Sequence, residues 1–485
     1  MGNCPWAGRA ARRTVGDVPS GTRPTAATLA ELRASGHVHR PVKTEIRENL
    51  VTAMRSGASR FEGIVGFDET VLPALERALL AGHDVVLLGE RGQGKTRLIR
   101  TLVSLLDEWT PVVDGCEIND HPEVPVCARC QRLHAEVGDA LPVGWRHRSE
   151  RYAEKLATPD TSVGDLIGDI DPVKVAEGRT LGDPETVHYG LVPRTNRGIF
   201  AINELPDLAE RIQVSLLNVL EERDIQVRGY QLRLPLDVLL VASANPEDYT
   251  NRGRIISPLK DRFGAEIRTH YPDLLEDEVD VIRQEAELTA VVPDFLLEVM
   301  ARFARNVRES SSVDQRSGVS ARFGIAAAET AAASALRRAA IVGETPAVAR
   351  VCDLPSVVAT LRGKVEFEVD EEGRELEVLA HLLRRATVET FRHHLGASDL
   401  RPLIERFDDG LAVESGDLVP GRRLLEQVGP LPGLAQVMDR LGIDEGGETP
   451  ELAASALEFA LEGLFLNRRI SKDDSTDGGI VYGSA

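Results

Sequence analysis

The sequence predicts an α/β protein: a parallel sheet core with helices on both faces, followed by an α-helical lid and a C-terminal helical region. Three observations predict it. Short apolar runs that read as buried strands alternate with amphipathic stretches. The first run, Asp84–Leu88, leads straight into the glycine-rich segment Gly89–Thr96 and then a helical pattern. Beyond Leu274 the strand signals fade and helical spacing takes over.

Residues 1–42 are rich in Gly, Ala, Thr, Arg and Pro without apolar periodicity, and read as a flexible N-terminal tail. A helical pattern begins near Val42, Phe61–Phe67 is a loop, and Glu69–Ala81 returns to helical spacing. The strand Asp84–Leu88, the helix Arg97–Glu108, and the strands Ile199–Ile202 and Val238–Ala242 around the amphipathic stretch Pro206–Glu222 make up an α/β domain over 43–275. A Cys/His insertion interrupts it at about 111–150. Glu276–Val307 and Ala321–Ile341 belong to a helical lid over 276–395, interrupted by the charged segment Lys364–Glu375. Residues 396–485 read as helical, with a Gly/Pro-rich turn at Val428–Gly433 and a polar tail at Ser471–Ala485.

At 485 residues the chain is long enough for two or three domains. A hydrophobic content of 42% with 28% charged residues is that of a soluble globular protein; with aromatics at 4%, its core is built from Leu, Val, Ile and Ala. No apolar run is long enough to cross a bilayer, and no apolar stretch follows Arg12-Arg13 to make a secretory signal. Met1-Gly2-Asn3-Cys4 resembles a myristoylation start, but Trp6 stands where Ser or Thr is required. The cytoplasm is the expected compartment. A net charge of -20 repels nucleic-acid phosphate, so any such contact needs a local basic patch. Five cysteines in so long a chain argue against a disulfide framework.

Gly89-Glu90-Arg91-Gly92-Gln93-Gly94-Lys95-Thr96 satisfies G-x-x-x-x-G-K-[ST] and sits after a buried strand and before a helix. Glycines let successive N–H groups curl round a β-phosphate, Lys95 reaches the β- and γ-phosphates, and Thr96 can ligate Mg²⁺. ATP with Mg²⁺ is the expected ligand. Such a site also needs acidic residues on a neighbouring strand, and Gly198–Leu205 is the candidate: four apolar residues, then Asn203-Glu204. Glu204 is the candidate base that polarises the attacking water. Asn203 stands where Asp is usual; its amide can still accept a bond from a metal-bound water, but it brings no charge. Asp207, four residues on, is a further carboxylate nearby. Val241–Pro246 ends another buried strand in Asn245, placed to orient the water. Arg262 follows in Ser257–Phe263, and Arg322 opens the alanine-rich helix Ser320–Ile341; guanidinium groups meet the charge that develops on a transferring phosphoryl group.

Together these residues resemble the AAA+ family, and within it the magnesium-chelatase I subunits and MoxR-type ATPases, over about Phe61–Ile341. The most specific stretch is Gly190–Phe200 (GLVPRTNRGIF), similar to the family's approach to its Walker B strand. Asp165–Asp171 resembles the start of the helix-two insertion, and Asp224–Leu236 the hairpin before sensor 1. The resemblance implies that Asn245 is sensor 1, Arg262 an arginine finger serving a neighbouring subunit and Arg322 sensor 2, hence a ring, with a hexamer the expected size. It also implies a motor that remodels a partner protein, often one with a von Willebrand A domain. Asn203 departs from the family's Asp and implies slower turnover.

Cys116, Cys127, Cys130 and His134 lie between the first helix after the glycine-rich loop and Asp165. Cys127-x-x-Cys130 with His134 four residues on has zinc spacing, and Cys₃His closes a structural zinc site. His121 is a competing fourth ligand, and free thiols beside solvated histidines are the plain alternative. Cys4 and Cys352 are isolated.

Three further functions compete with the remodelling motor. A magnesium-chelatase ATPase subunit of tetrapyrrole synthesis is a specialised outcome, though no porphyrin-binding feature is visible. A nucleotide-gated scaffold with negligible hydrolysis follows from Asn203. A nucleic-acid remodeller would use Arg223, Arg228 and Arg233 of the hairpin, but Glu221, Glu222 and Asp224 flank them, as on a solvated surface.

Overall fold

The computed structural model describes residues 21–177, 186–221, 225–227, 230–232, 234–246, 254–314, 318–430, 433–443, 449–474 and 479–485. They form two compact units, one up to Glu90 together with Gly94–His270, the other Arg91–Gln93 with Tyr271–Ala485.

The first unit opens with α1 (Leu29–Ala34), α2 (Val42–Ser56) and α3 (Val71–Ala81), then β1 (Val85–Leu88) and α4 (Lys95–Thr101). β2 (Trp109–Val113), α5 (Ala128–Val137) and β3 (Val143–His147) make up the insertion, β2 pairing antiparallel with β3. β4 (Tyr152–Leu156) follows, then α6 (Val163–Leu166), β5 (Gly168–Ile170), α7 (Pro172–Ala176), β6 (Val187–Tyr189) and α8 (Leu191–Arg194). β7 (Gly198–Asn203), α9 (Glu210–Glu221), the antiparallel pair β8 (Ile225–Val227) and β9 (Tyr230–Leu232), β10 (Val238–Ala244) and β11 (Ala265–Arg268) complete the unit.

Five strands form one sheet in the order β11-β1-β10-β7-β4, every pair parallel. The central strands β1, β7 and β10 are buried along their whole length, which is why they read as continuous apolar runs. Period-two alternation sends their side chains into two separate cores. Val85, Leu87, Ile199, Ala201, Leu239 and Val241 pack with Val42, Ile46, Leu75 and Leu98 of the helices on one face. Val86, Leu88, Phe200, Ile202, Leu240 and Ala242 pack with Ile212 and Leu216 of α9 on the other. All five strands point the same way, so their C-terminal ends share one edge, where open α/β sheets bind ligands.

Three expectations need correction. The tail expected over 1–42 holds α1, a helix too short to persist alone. Leu29 and Leu32 are fully buried, and the backbone bonds Leu29 N→Leu141 O (3.0 Å) and Val143 N→Ala27 O (2.9 Å) tie the segment to the approach to β3. Its stabilising partners lie more than a hundred residues away, beyond any local pattern. The helix after the glycine-rich loop is shorter than Arg97–Glu108: α4 passes into a 3-10 turn at Leu102–Leu105. The polar tail at 471–485 contains the strands Ser471–Asp474 and Ile480–Gly483, which join Val413–Ser415 in an antiparallel sheet. Tyr482 anchors it, fully buried, with its hydroxyl donating to Glu462 at 2.7 Å.

The second unit is otherwise helical. Asp294–Glu309 packs on Glu375–Leu395 around Phe295, Phe303, Phe323, Phe391 and Phe459. In Arg322–Val342, Ala327, Ala328, Ala331, Ala332 and Ala335 form one buried face, small enough for neighbouring helices to approach closely. Pro450–Leu466 is buried almost all round, and its Glu458 is neutralised by Arg350 at 2.6 Å, both side chains 1% exposed. Among the described residues no helix is long and apolar enough to cross a membrane.

Candidate active site

The site gathers at the C-terminal edge of β1, β10 and β7. Gly89 N continues the β1–β10 pairing onto Ala244 O at 3.1 Å, after which the chain leaves the sheet. Gly92 and Gly94 have φ of 78° and 75°, a left-handed conformation that glycine adopts without a side-chain clash. Lys95, the first residue of α4, is 6% exposed. Its Nζ donates to the Gly89 carbonyl, to the Glu90 carbonyl at 2.7 Å and to Asn245 Oδ1 at 2.8 Å. A buried ammonium with its donors satisfied is held at one point rather than sweeping through solvent.

Asn245, one residue past β10 and 3% exposed, bridges two charged groups, since its Nδ2 donates to Glu204 Oε2 at 2.6 Å. Glu204 follows β7 in a left-handed turn, φ 57° and ψ 47°, and its N–H donates to Ser243 Oγ at 3.3 Å. A non-glycine residue there stores backbone strain, which the Ser243 and Asn245 contacts offset. Asn203 accepts from the hydroxyls of Thr96 (3.3 Å) and Ser243 (3.1 Å) and donates to Glu154 Oε1 at 2.7 Å. The amide is thereby oriented, with its oxygen toward Thr96 and its nitrogen toward Glu154.

Glu154 and Ser243 were not singled out by the sequence. Glu154 lies on β4, a half-buried edge strand whose mixed composition carries no strong strand signal. Burial pushes its carboxyl up, but hydrogen bonds from Arg100 (2.8 and 2.9 Å) and Tyr152 (2.8 Å) outweigh that and hold it below its ordinary value. The carboxylate hydrogen-bonded to Asn203 is therefore one strand over from position 203, while Asp207 closes a 3-10 turn after Glu204.

The three cysteines come together, all buried, but His134 is not with them. Cys127 caps α5, and His134 stands seven residues on, about 10 Å along the helix axis. Asp120 takes its place. His121 is stacked on His37, with ring nitrogens 3.3 Å apart, and its ring lies tilted against His39, centroids 4.3 Å apart.

The family described as the Sigma-54 interaction domain matches residues 179–262, the stretch that runs through β7 and β10 to Arg262. The chain is 30% identical over 244 residues to the magnesium-chelatase subunit ChlI of Nostoc sp., an alignment covering 49% of this chain and 61% of that protein. It is 31% identical over 249 residues to the magnesium-chelatase 38 kDa subunit of Rhodobacter capsulatus, covering 49% of this chain and 63% of that one. Over about half of its length the chain is thus similar to magnesium-chelatase I subunits, an AAA+ group. The chain spans about three-fifths of the length of those relatives. A BchI–BchD magnesium chelatase complex matches 66% of this chain and 98% of its own at 22% identity, with a TM-score of 0.35.

Arg262 ends the helix Ser257–Arg262 with its side chain 41% exposed, pairing with Glu221 at 2.7 Å. Arg322 is exposed at the first turn of Arg322–Val342, in the second unit. β8 and β9 form the hairpin, while Arg223, Arg228 and Arg233 lie outside the described residues.

Proposed function

We propose that this chain binds ATP with Mg²⁺ and hydrolyses it, within a ring of copies, to remodel a partner protein. The observation that carries the reading is the single network Lys95–Asn245–Glu204 at the edge where Thr96 also meets Asn203. It supplies a phosphate-directed cation, a carboxylate to polarise water, and an amide that sets their spacing. The residues fit a metal nucleotide: the Thr96 hydroxyl and the Asn203 amide would hold Mg²⁺ through its ligand shell, with Glu154 supplying negative charge behind Asn203. Bound Mg²⁺ neutralises charge on the phosphates. Gly89–Thr96 wraps the phosphates, Glu204 takes the proton of the attacking water, Asn245 orients that water as sensor 1, and Arg322 serves as sensor 2.

Exposed Arg262 supports the ring, since an arginine at the surface can reach a neighbouring copy's nucleotide once it leaves Glu221. A hexamer and a von Willebrand A partner follow from the resemblance, and the cytoplasm is the expected setting. The names of its relatives also favour a second reading, as the ATPase subunit of a magnesium chelatase.

One experiment tests the core of this. Wild type and Glu204→Gln are compared for Mg²⁺-dependent phosphate release and for sedimentation with and without ATP. Turnover in the wild type alone, with ATP-dependent assembly of both, is expected. Equal phosphate release from the two proteins would leave a nucleotide-gated scaffold and overturn the hydrolytic reading. ATP-loaded Glu204→Gln protein then serves as bait for the partner.

A further inference from the structure

We infer that Cys116, Asp120, Cys127 and Cys130 form a closed structural zinc site that clamps the insertion to the start of β7. One ligand atom from each lies within 4.8 Å of the other three, and all four residues are buried. A tetrahedral zinc with bonds of about 2.3 Å sets its ligands about 3.8 Å apart, so modest contraction closes the site. Thiolate ligands select zinc over the hard cations.

The decisive feature is Asp120. Its side chain is 0% exposed, and its Oδ2 accepts from Val126 N (3.1 Å) and Cys127 N (2.9 Å). Its Oδ1 is buried with no hydrogen-bond partner. An unsatisfied carboxylate oxygen is among the most costly groups to bury, and a metal bond is the partner this position can accept. A disulfide between two of the cysteines would leave that oxygen as it is.

The surroundings match a metal's outer shell. Cys116 Sγ accepts from Asp120 N at 3.3 Å, and Cys127 Sγ from Cys130 N at 3.4 Å. Arg129 Nη1 lies 3.9 Å from Cys130 Sγ, and Arg197 donates to the Asn119 carbonyl at 3.3 Å, beside Asp120. Three thiolates and a carboxylate leave a negative charge on bound zinc, and these donors offset it. With four protein ligands and no open position the ion is structural.

The site is wired to the strand that ends in Asn203. Asn119 Nδ2 donates to Arg194 O at 2.8 Å, and Asn196 Nδ2 to Ile118 O at 3.1 Å. Arg194 to Arg197 lead directly into β7, so the clamp holds the base of the strand that presents Glu204.

The full-length chain is purified without added metal and analysed by elemental mass spectrometry, then exchanged with Co²⁺ and read by absorption. About one zinc per chain is expected, with thiolate-to-cobalt charge-transfer bands and tetrahedral d–d bands. Asp120→Ala should weaken the metal at least about tenfold, while His134→Ala and His121→Ala retain it. Sub-stoichiometric zinc together with no Co²⁺ spectrum would overturn the site. So would a metal lost on His134→Ala but kept on Asp120→Ala. If Asp120→Ala does not fold, the wild-type zinc content and cobalt spectrum still decide whether the site exists.

Discussion

Asn245 donates to the Glu204 carboxylate at 2.6 Å while its own carbonyl accepts from Lys95 at 2.8 Å. One neutral side chain thus sets the distance between the buried Lys95 ammonium and the candidate base. Asn245→Ala breaks both bonds without removing either charged group. Turnover should fall about a hundredfold, the scale of a lost positioning or acid–base contact, while nucleotide affinity changes by less than about threefold. Phosphate release and fluorescent-nucleotide titration read the two separately. Turnover within twofold of wild type would remove Asn245 from the mechanism.

The Asn203–Glu154 hydrogen bond makes the departure from the usual Asp a built feature rather than a simple loss. Asn203→Asp sets a carboxylate against Glu154 where an amide now donates at 2.7 Å. It should destabilise the metal-free protein by about 1–3 kcal/mol, the cost of a lost bond to a charged group. Glu154→Gln returns a donor to position 203 but gives up the exposed Arg100 pair, so the two substitutions together should cost less than the sum of each alone, a coupling that a double-mutant cycle measures by denaturant unfolding. Additive effects of the two substitutions would show the contact to be energetically silent.

In the second unit, Glu298 of Asp294–Glu309 binds His394 at 2.7 Å and His393 at 2.9 Å from Glu375–Leu395, with Arg302 also on it. The Glu298 hydrogen bond raises His394 above its ordinary value of 6.5, although burial opposes it. Folding therefore binds that proton more tightly, so the stabilisation is fully present below about pH 6.5 and fades as pH rises through the raised value. Burial pushes Glu298 up, but the bonds from His394, Arg302 and His393 bring it down to about 2, so its share persists above pH 4.5 and is lost toward about 2. His394→Gln should lower the unfolding midpoint more at pH 6 than at pH 9. The same difference at both pH values would show that protonation of His394 contributes nothing.

The residues of the candidate nucleotide site could be picked out because they are local in sequence. Gly89–Thr96 occupies eight consecutive residues, and Asn203-Glu204 and Asn245 each end an apolar run that could only be a buried strand. Glu154 was illegible for the opposite reason: β4 lies at the edge of the sheet, is half-buried and mixes Tyr, Ala, Glu, Lys and Leu, so no period announces it. The C-terminal sheet was hidden in part for a similar reason: Ile480–Gly483 pairs with Ser471–Asp474 close by, but also with Val413–Ser415, far back in the chain.

The cysteine cluster divides along the same line. Spacing pointed to Cys127 and Cys130 as neighbours, because a Cys-x-x-Cys pair at a helix cap has little freedom to separate, and Cys116 was added as the next cysteine along the chain. It also pointed to His134, the nearest histidine along the chain. Only the tertiary structure decided for Asp120, since the helix carries His134 away from its own N-terminus while the loop before it folds a carboxylate back onto the thiols. By itself the sequence determined the α/β core, the glycine-rich loop and the residues at the ends of the buried strands, all written in short-range order. Which charges face one another across strands and loops depends on through-space distance, and that the fold alone decides.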